Sequence, residues 1–339
     1  MTLRLGFVGC GKWSRKLAES FRACGAEIVA FDRASRVTPA RFHPEWRAGT
    51  PGTPPHGPPG LLPGEGVPPA DGFGTFMPWR DQLADKSIDA IVAVAPPEIT
   101  TEVAMACAAA GKAVMATKPL FDHPERITAP FYVDFWRLYS RGWKLFNGPP
   151  HPGHGSTSFE LHGSGPFREF PGGLDYGPHV MAWILSRYGL GPDVGGAQRG
   201  ALLQYAHRVT SAQGELFSIG GAGWDARFGN GSPGAGAAID HSGRSARSRG
   251  WSGKSELPDC YTSWIESPTE IVFEGPVGYA ENGNDYGPQV RLVETKADVM
   301  QNFCQSFLSD VSEGFVDTKL LSYSREGMRM LREIRERAT

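Results

Sequence analysis

Apolar positions near the start of the chain fall into short uninterrupted runs punctuated by glycine. Leu3 to Val8 is one such run, ending at Gly9. Trp13, Leu17, Phe21 and Cys24 then recur at helical spacing, and Gly25 stands where a left-handed stop is wanted. A second run, Glu27 to Phe31, ends at Asp32. This reads as strand, glycine turn, helix, strand. The same order returns further on. Ile88 to Ala95 lacks alternation, as a strand buried on both faces does. Ile99, Val103, Cys107 and Ala110 follow at helical spacing, Gly111 supplies the stop, and Ala113 to Ala116 is a short strand leading into Thr117-Lys118-Pro119. Strands alternating with helices predict a parallel, doubly wound sheet.

After Pro119 the pattern changes. Phe131 to Tyr139, Thr157 to His162, Ala201 to Val209, Leu216 to Ile219, Glu270 to Phe273 and Val290 to Glu294 read as strands. Such a succession, without alternating helices, predicts an α+β domain with an open, mostly antiparallel sheet. One helix interrupts it, from about Asp175 to Tyr188. Two more close the chain, marked by Val299, Phe303, Phe307 and Val311 and by Met328, Leu331 and Ile334. The stretch from Gly220 to Gly253 reads as loop. Residues 38–72 hold ten prolines and seven glycines, which no helix or central strand tolerates, so they read as a long surface excursion. The chain of 339 residues is thus expected to form a first domain over 1–121 and a second domain over 122–339.

Charge and cysteine content narrow the function classes. A formal net charge of −2 argues against bulk affinity for nucleic acid. The cysteines number five and lie far apart, which is neither a disulfide framework nor a zinc pattern, and a reduced cytoplasmic compartment is expected. No apolar run reaches membrane-spanning length, and the N-terminal run is too short for a signal peptide.

Gly9-Cys10-Gly11-Lys12-Trp13-Ser14 follows a strand and opens a helix. Gly9 suits the tight turn, Gly11 admits a pyrophosphate, and the helix start supplies N–H groups. Asp32, at the end of the next strand, is where a carboxylate accepts hydrogen bonds from an adenosine ribose. Arg33 and Arg36 nearby would suit a 2′-phosphate instead. Lys118 ends a strand on the edge of the sheet where ligands bind, and Pro119 fixes the backbone behind it. Asp175 and His179 are four residues apart, on one face of a helix near its first turn. Asp175 reads equally as a helix cap and His179 as a core histidine. His151, His154 and His162 have no metal-ligand spacing, and no metal is expected.

Taken together, GFVGCGKW, IDAIVAVAPP with TTEVA, AAAGKAVMATKPL and GGLDYGPHVMAWIL resemble the Gfo/Idh/MocA oxidoreductases, in order and spacing, over nearly the whole chain. The resemblance implies a Rossmann domain followed by an open-sheet domain, substrate between them, and NAD or NADP as cofactor. It implies hydride transfer at a carbinol carbon of a sugar or cyclitol, with Lys118, Asp175 and His179 as the catalytic set. Cofactor contacts are expected from Gly9, Gly11, Lys12, Trp13, Asp32, Arg33, Ala95, Pro96 and Lys118, with NAD favoured over NADP because Asp32 repels a 2′-phosphate. Substrate contacts are expected from Arg137 and Tyr139, on the first strand of the second domain, and from Tyr176. Arg244, Arg247, Arg249 and Lys254 form a basic stretch, either a solvated loop or a reach toward a nucleotide-sugar phosphate. A homodimer or homotetramer through the second sheet is also implied.

The chain departs from the family pattern at Thr117, where glutamate is usual, and at Thr100, where histidine is common. The proline-rich stretch replaces a helix, and the segment from Leu120 to Phe131 is short for the usual helix and strand. Two alternatives stand beside the sugar dehydrogenase: a catalytically silent ligand-binding protein on the same fold, and a reductase of an imine or tetrapyrrole.

Overall fold

The computed structural model describes residues 2–32, 74–146, 158–163, 178–179, 181–182, 185–186, 224–229, 251–257, 260–266, 269–276 and 289–338. The chain divides into two compact units, one comprising Met1–Asp134 with Cys304–Leu321, the other Phe135–Phe303 with Ser322–Thr339.

The first unit is a doubly wound Rossmann sheet. Its strands are β1 (Arg4–Val8), β2 (Glu27–Asp32), β3 (Thr75–Phe76), β4 (Ala90–Ala93), β5 (Ala113–Ala116) and β6 (Phe131–Val133). They are parallel and lie in the order β3-β2-β1-β4-β5-β6. The helices are α1 (Lys12–Ala23), α2 (Trp79–Ala84) and α3 (Pro97–Ala110). Gly111, in the left-handed region at φ 65°, ends α3 where the hydrophobic period stops. All residues of β4 and β5 are buried, which accounts for runs without alternation. Phe21 of α1 meets Phe7 of β1 edge-on, and Phe307 from the C-terminal part of the chain packs against both Phe21 and Tyr132.

One expectation changes here, and two elements are added. The stretch from Phe131 to Tyr139 is not one strand: β6 stops at Val133, and Trp136–Tyr139 is a 3-10 helix followed by α4 (Arg141–Phe146). The segment after Leu120 holds no helix or strand, as its length led one to expect, and β6 begins only at Phe131, beside β5. β3 and α2, unforeseen, add an edge strand and a short helix after the proline-rich stretch. That stretch itself lies outside the described residues.

The second unit carries an antiparallel sheet of six strands in the order β12-β11-β10-β9-β7-β8. These are β7 (Ser158–Gly163), β8 (Trp224–Gly229), β9 (Trp251–Leu257), β10 (Cys260–Glu266), β11 (Glu270–Pro276) and β12 (Gln289–Thr295). Trp224–Gly229 and Trp251–Gly253 fall within the stretch read as loop, and both are strands because they pair with β7 along its whole length. Lys254 accordingly belongs to β9, opposite Ser263, and not to a loop. Arg244, Arg247 and Arg249 lie outside the described residues, as do the expected strands at Ala201–Val209 and Leu216–Ile219.

The chain ends in α5 (Lys296–Glu313) and α6 (Lys319–Ala338), close to the two helices expected. Glu294 of β12 is buried and gathers the start of α4. It accepts the Ser140 hydroxyl at 2.5 Å and the backbone N–H groups of Arg141 and Gly142 at 2.8 Å. A side chain on Gly142 would press into the Phe273 ring, so α4 lies directly on β11.

Candidate functional site

The strand order reverses between β1 and β4, and loops after the carboxyl ends of the strands converge there. Gly9 follows β1 with φ 104°, and its N–H donates to the Asp32 carbonyl at 2.7 Å. Any side chain at Gly9 would press into the Val94 carbonyl, so this turn needs glycine for both conformation and space. Gly11 differs. Its φ is −73°, open to any residue, and a Cβ there would meet nothing within 4 Å among the described residues. It caps α1 without any side-chain hydrogen bond, and the first turn holds no acidic residue. The leading N–H groups of a helix lack intrahelical partners, so this start presents donors, a positive dipole end and exposed Lys12. Those features fit an anionic pyrophosphate.

Asp32, the last residue of β2, accepts the Trp79 N–H on Oδ2 at 2.8 Å and thereby orients its carboxylate while capping α2. Beside it the Arg80 guanidinium lies 4.2 Å from the centre of the Trp79 ring and pairs with Glu102 at 2.6 Å. Arg33 is outside the described residues. Trp13 reaches across this edge, donating its indole N–H to Oδ2 of the buried Asp134, just past β6, at 2.7 Å.

Ala95 and Pro96 follow β4. Thr100 in α3 is buried and holds the main chain of Ala95 through both its N–H and its carbonyl. Lys118 follows β5, half-buried, and its peptide bond to Pro119 is cis. Gly9, Gly11, Lys12, Trp13, Asp32, Ala95, Pro96 and Lys118 therefore all stand at the carboxyl edge of one sheet. Thr100, Thr101, Trp79 and Asp134 shape the same edge and were not singled out from sequence as site residues. Their one local signal is a Thr-Thr pair just after Pro-Pro.

In the second unit His179 is helical, buried, and set edge-on to Phe135 with ring centres 5.7 Å apart. Asp175 and Tyr176 lie outside the described residues. Arg137 and Tyr139 sit on the 3-10 helix, not on a strand, because the chain turns after Asp134. The Arg137 guanidinium stacks 4.6 Å from the Trp136 ring centre. Tyr139 meets Phe303 edge-on at 5.0 Å, with Lys144 Nζ 5.4 Å from its own ring.

Burial pushes the Cys107 thiol up to about 12, and burial likewise raises Cys304. Among the described residues no group of three or more His, Cys, Asp or Glu is placed to hold a metal ion, and no helix is long and apolar enough to cross a membrane.

No protein-family model matches the chain, and no curated protein matches its sequence. Solved structures do match its fold. A levoglucosan dehydrogenase in complex with NADH and levoglucosan is 12% identical, with TM-score 0.57, covering 100% of this chain and 97% of that one. A dehydrogenase from Chromobacterium violaceum is 12% identical, with TM-score 0.56, covering 99% and 95%. A mutant 3-ketoreductase from Actinomadura kijaniata, in complex with TDP-benzene and NADP, is 13% identical, with TM-score 0.53, covering 97% and 96%. The chain thus has the two-part fold of these oxidoreductases: a Rossmann sheet and an open antiparallel one.

Proposed function

We propose that this protein is an NAD(P)-dependent oxidoreductase acting at a carbinol or carbonyl carbon of a sugar, cyclitol or nucleotide sugar. The observation that carries the reading is the glycine turn at the β1–β4 switch, which needs glycine at Gly9 and leads directly into a helix start without a side-chain cap or an acidic residue in its first turn. Gly9, Gly11, Lys12 and Trp13 would hold the pyrophosphate, and Ala95 and Pro96 would line the path beyond it. Asp32, oriented by the Trp79 N–H, would accept the adenosine ribose hydroxyls and repel a 2′-phosphate, which favours NAD. When bound, the nicotinamide supplies the hydride chemistry.

The protein's own groups manage the proton and the charge. The Lys118 ammonium donates a hydrogen bond to the substrate oxygen and stabilises negative charge developing there. The His179 imidazole takes the hydroxyl proton in the oxidative direction, and its burial against Phe135 keeps bulk water from the ring. In the same proposal Asp175 would hold that imidazole or the substrate, and Arg137, Tyr139 and Tyr176 would supply directed contacts to a hydroxyl-rich ring. The levoglucosan and 3-ketoreductase neighbours support a sugar-like substrate. A cytoplasmic homodimer or homotetramer, formed through the second sheet, belongs to the same proposal.

Fluorescence titration with NADH and NADPH tests the reading directly. Binding of both, tighter for NADH, is expected. Binding of neither overturns it. An absorbance screen of reduced cofactor over sugars, cyclitols and nucleotide sugars then finds the substrate, and activity confined to imines or tetrapyrroles overturns the sugar assignment.

A further inference from the structure

Two adjacent threonines near the start of α3 are tied to the loops that follow β4 and β5. Thr100 is wholly buried, and its hydroxyl accepts the Ala95 N–H at 3.1 Å and donates to the Ala95 carbonyl at 2.9 Å. Thr101 is 8% exposed, and its Oγ1 accepts the Phe121 N–H at 3.1 Å. At the other end of that second loop, the Thr117 N–H donates to the Ala93 carbonyl at 2.9 Å, supported by the Thr117 hydroxyl at 3.3 Å. Lys118 and Pro119 are therefore held between two anchors, with Leu120 and Phe121 buried behind them.

Neither Ala95 nor Phe121 belongs to a strand or helix, so these bonds form no part of the sheet ladder or the helix. What they fix is the course of two loops. The helix supplying both bonds is itself anchored by Ile99, Val103 and Cys107, all buried. Successive residues on a helix point about 100° apart, so neighbouring threonines serve two different loops. β4 and β5 are adjacent in the sheet, which brings both loops within reach of one helix start.

We propose that Thr100 and Thr101 form a clasp that sets both loops from a single rigid element. Thr100 is a positioning residue for dinucleotide binding through the Ala95–Pro96 turn. Thr101 is a positioning residue for the Lys118 ammonium. The inference rests on the dinucleotide site proposed above. Valine matches threonine in shape but lacks the hydroxyl, so it leaves buried main-chain groups without their partner and lets the loop move to recover one. Serine keeps the hydroxyl.

The test uses the full chain and needs no substrate. NADH affinity is measured by fluorescence titration. Modification of Lys118 by an amine-reactive reagent is followed by peptide mass spectrometry, with and without saturating NADH. In the unaltered protein NADH is expected to protect Lys118. Thr100→Val is expected to weaken NADH binding by about tenfold, the scale of one or two lost hydrogen bonds. Thr101→Val is expected to lower Lys118 protection by about fivefold or more, with NADH affinity falling less than in Thr100→Val. Thr100→Ser and Thr101→Ser restore both readouts. Circular dichroism and melting curves check each variant, and Thr100→Ala or Thr101→Ala replaces a valine variant that does not fold. Normal NADH affinity in the Thr100 variant, or undiminished protection in the Thr101 variant, overturns the clasp alone. Failure of the unaltered protein to bind NADH, or to show protection of Lys118, overturns the underlying site and the clasp with it.

Discussion

In the parallel sheet, β4 and β5 read Ala-Ile-Val-Ala and Ala-Val-Met-Ala, and every one of these residues is buried. In the antiparallel sheet, β12 reads Gln-Val-Arg-Leu-Val-Glu-Thr, and its one buried residue is the carboxylate Glu294. Val293 beside it is 49% exposed. The first sheet is covered on both faces by the helices of its crossovers, so its strands are specified by unbroken hydrophobicity. β12 is specified by ladder pairing with β11 and by what single residues reach. The ligand site proposed here depends on the first arrangement, because rigid buried strands end together along one edge and present their loops there.

The sharpest break in this comparison comes from the two glycines of the first turn. Gly9→Ala is expected to destabilise the protein by more than about 4 kcal/mol, read as a lower urea midpoint or as loss of soluble protein. Its φ of 104° and the Val94 carbonyl both oppose a side chain. Gly11→Ala, in open space with ordinary φ, is expected to change stability by less than about 1 kcal/mol while abolishing NADH binding. Equal stability losses in the two variants would show that neither glycine has the role assigned to it.

This contrast also explains what the sequence could show. β1, α1, β2, α3 and β5 were legible because each is an apolar run or a helical stripe bounded by glycine or a charged residue. α2 was not, since it has six residues and takes its cap from Asp32, 47 positions upstream. β8 and β9 were hidden by Gly, Ser and charged residues, and pairing with β7 decides them. Phe131 to Tyr139 is apolar enough that a strand and a 3-10 helix merge into one pattern. At the site, strand-end residues such as Asp32 and Lys118 could be placed from spacing alone. The partners that orient them, Trp79 and Thr101, act through main-chain hydrogen bonds that leave no periodic trace.

A second test compares the sheets through one side chain each. Ile91 of β4 is fully buried, and Ile91→Ala is expected to cost about 2–5 kcal/mol, from lost transfer energy and the cavity left behind. Val293→Ala on β12 is expected to stay within about 0.5 kcal/mol. Urea unfolding of both variants measures the difference. A large loss at Val293 would mean that this face is covered in the assembled protein, and gel filtration of the variant would then show a change in oligomeric state.

Polar burial separates the regions as well. Glu294 is satisfied by three donors at the start of α4. Glu294→Ala removes all three acceptances and strands buried donors, so a loss of about 2–3 kcal/mol is expected. Glu294→Gln keeps the shape and part of the acceptance, and is expected to lose less. Similar midpoints for the two variants would mean that the shape of the side chain, and not its hydrogen bonding, holds α4 against β11.

A gain rather than a loss is expected at Ser14, in the first turn of α1 in the other unit. Its side chain is fully buried, and its hydroxyl has no hydrogen-bond partner among the described residues. It occupies the third small position of the glycine turn, where a helix packs closely on a strand. Burying an unsatisfied hydroxyl costs roughly 1–3 kcal/mol, and alanine removes that cost while adding helix propensity. Ser14→Ala is therefore expected to raise stability by about 1 kcal/mol, part of the gain being lost to the small space vacated. NADH affinity should be unchanged, because the proposed pyrophosphate donors are main-chain groups and Ser14 faces the core. A loss of stability would show that the hydroxyl is satisfied by buried water. A loss of NADH affinity without a loss of stability would assign the hydroxyl to the ligand, and would move Ser14 from the packing of this sheet to its binding edge.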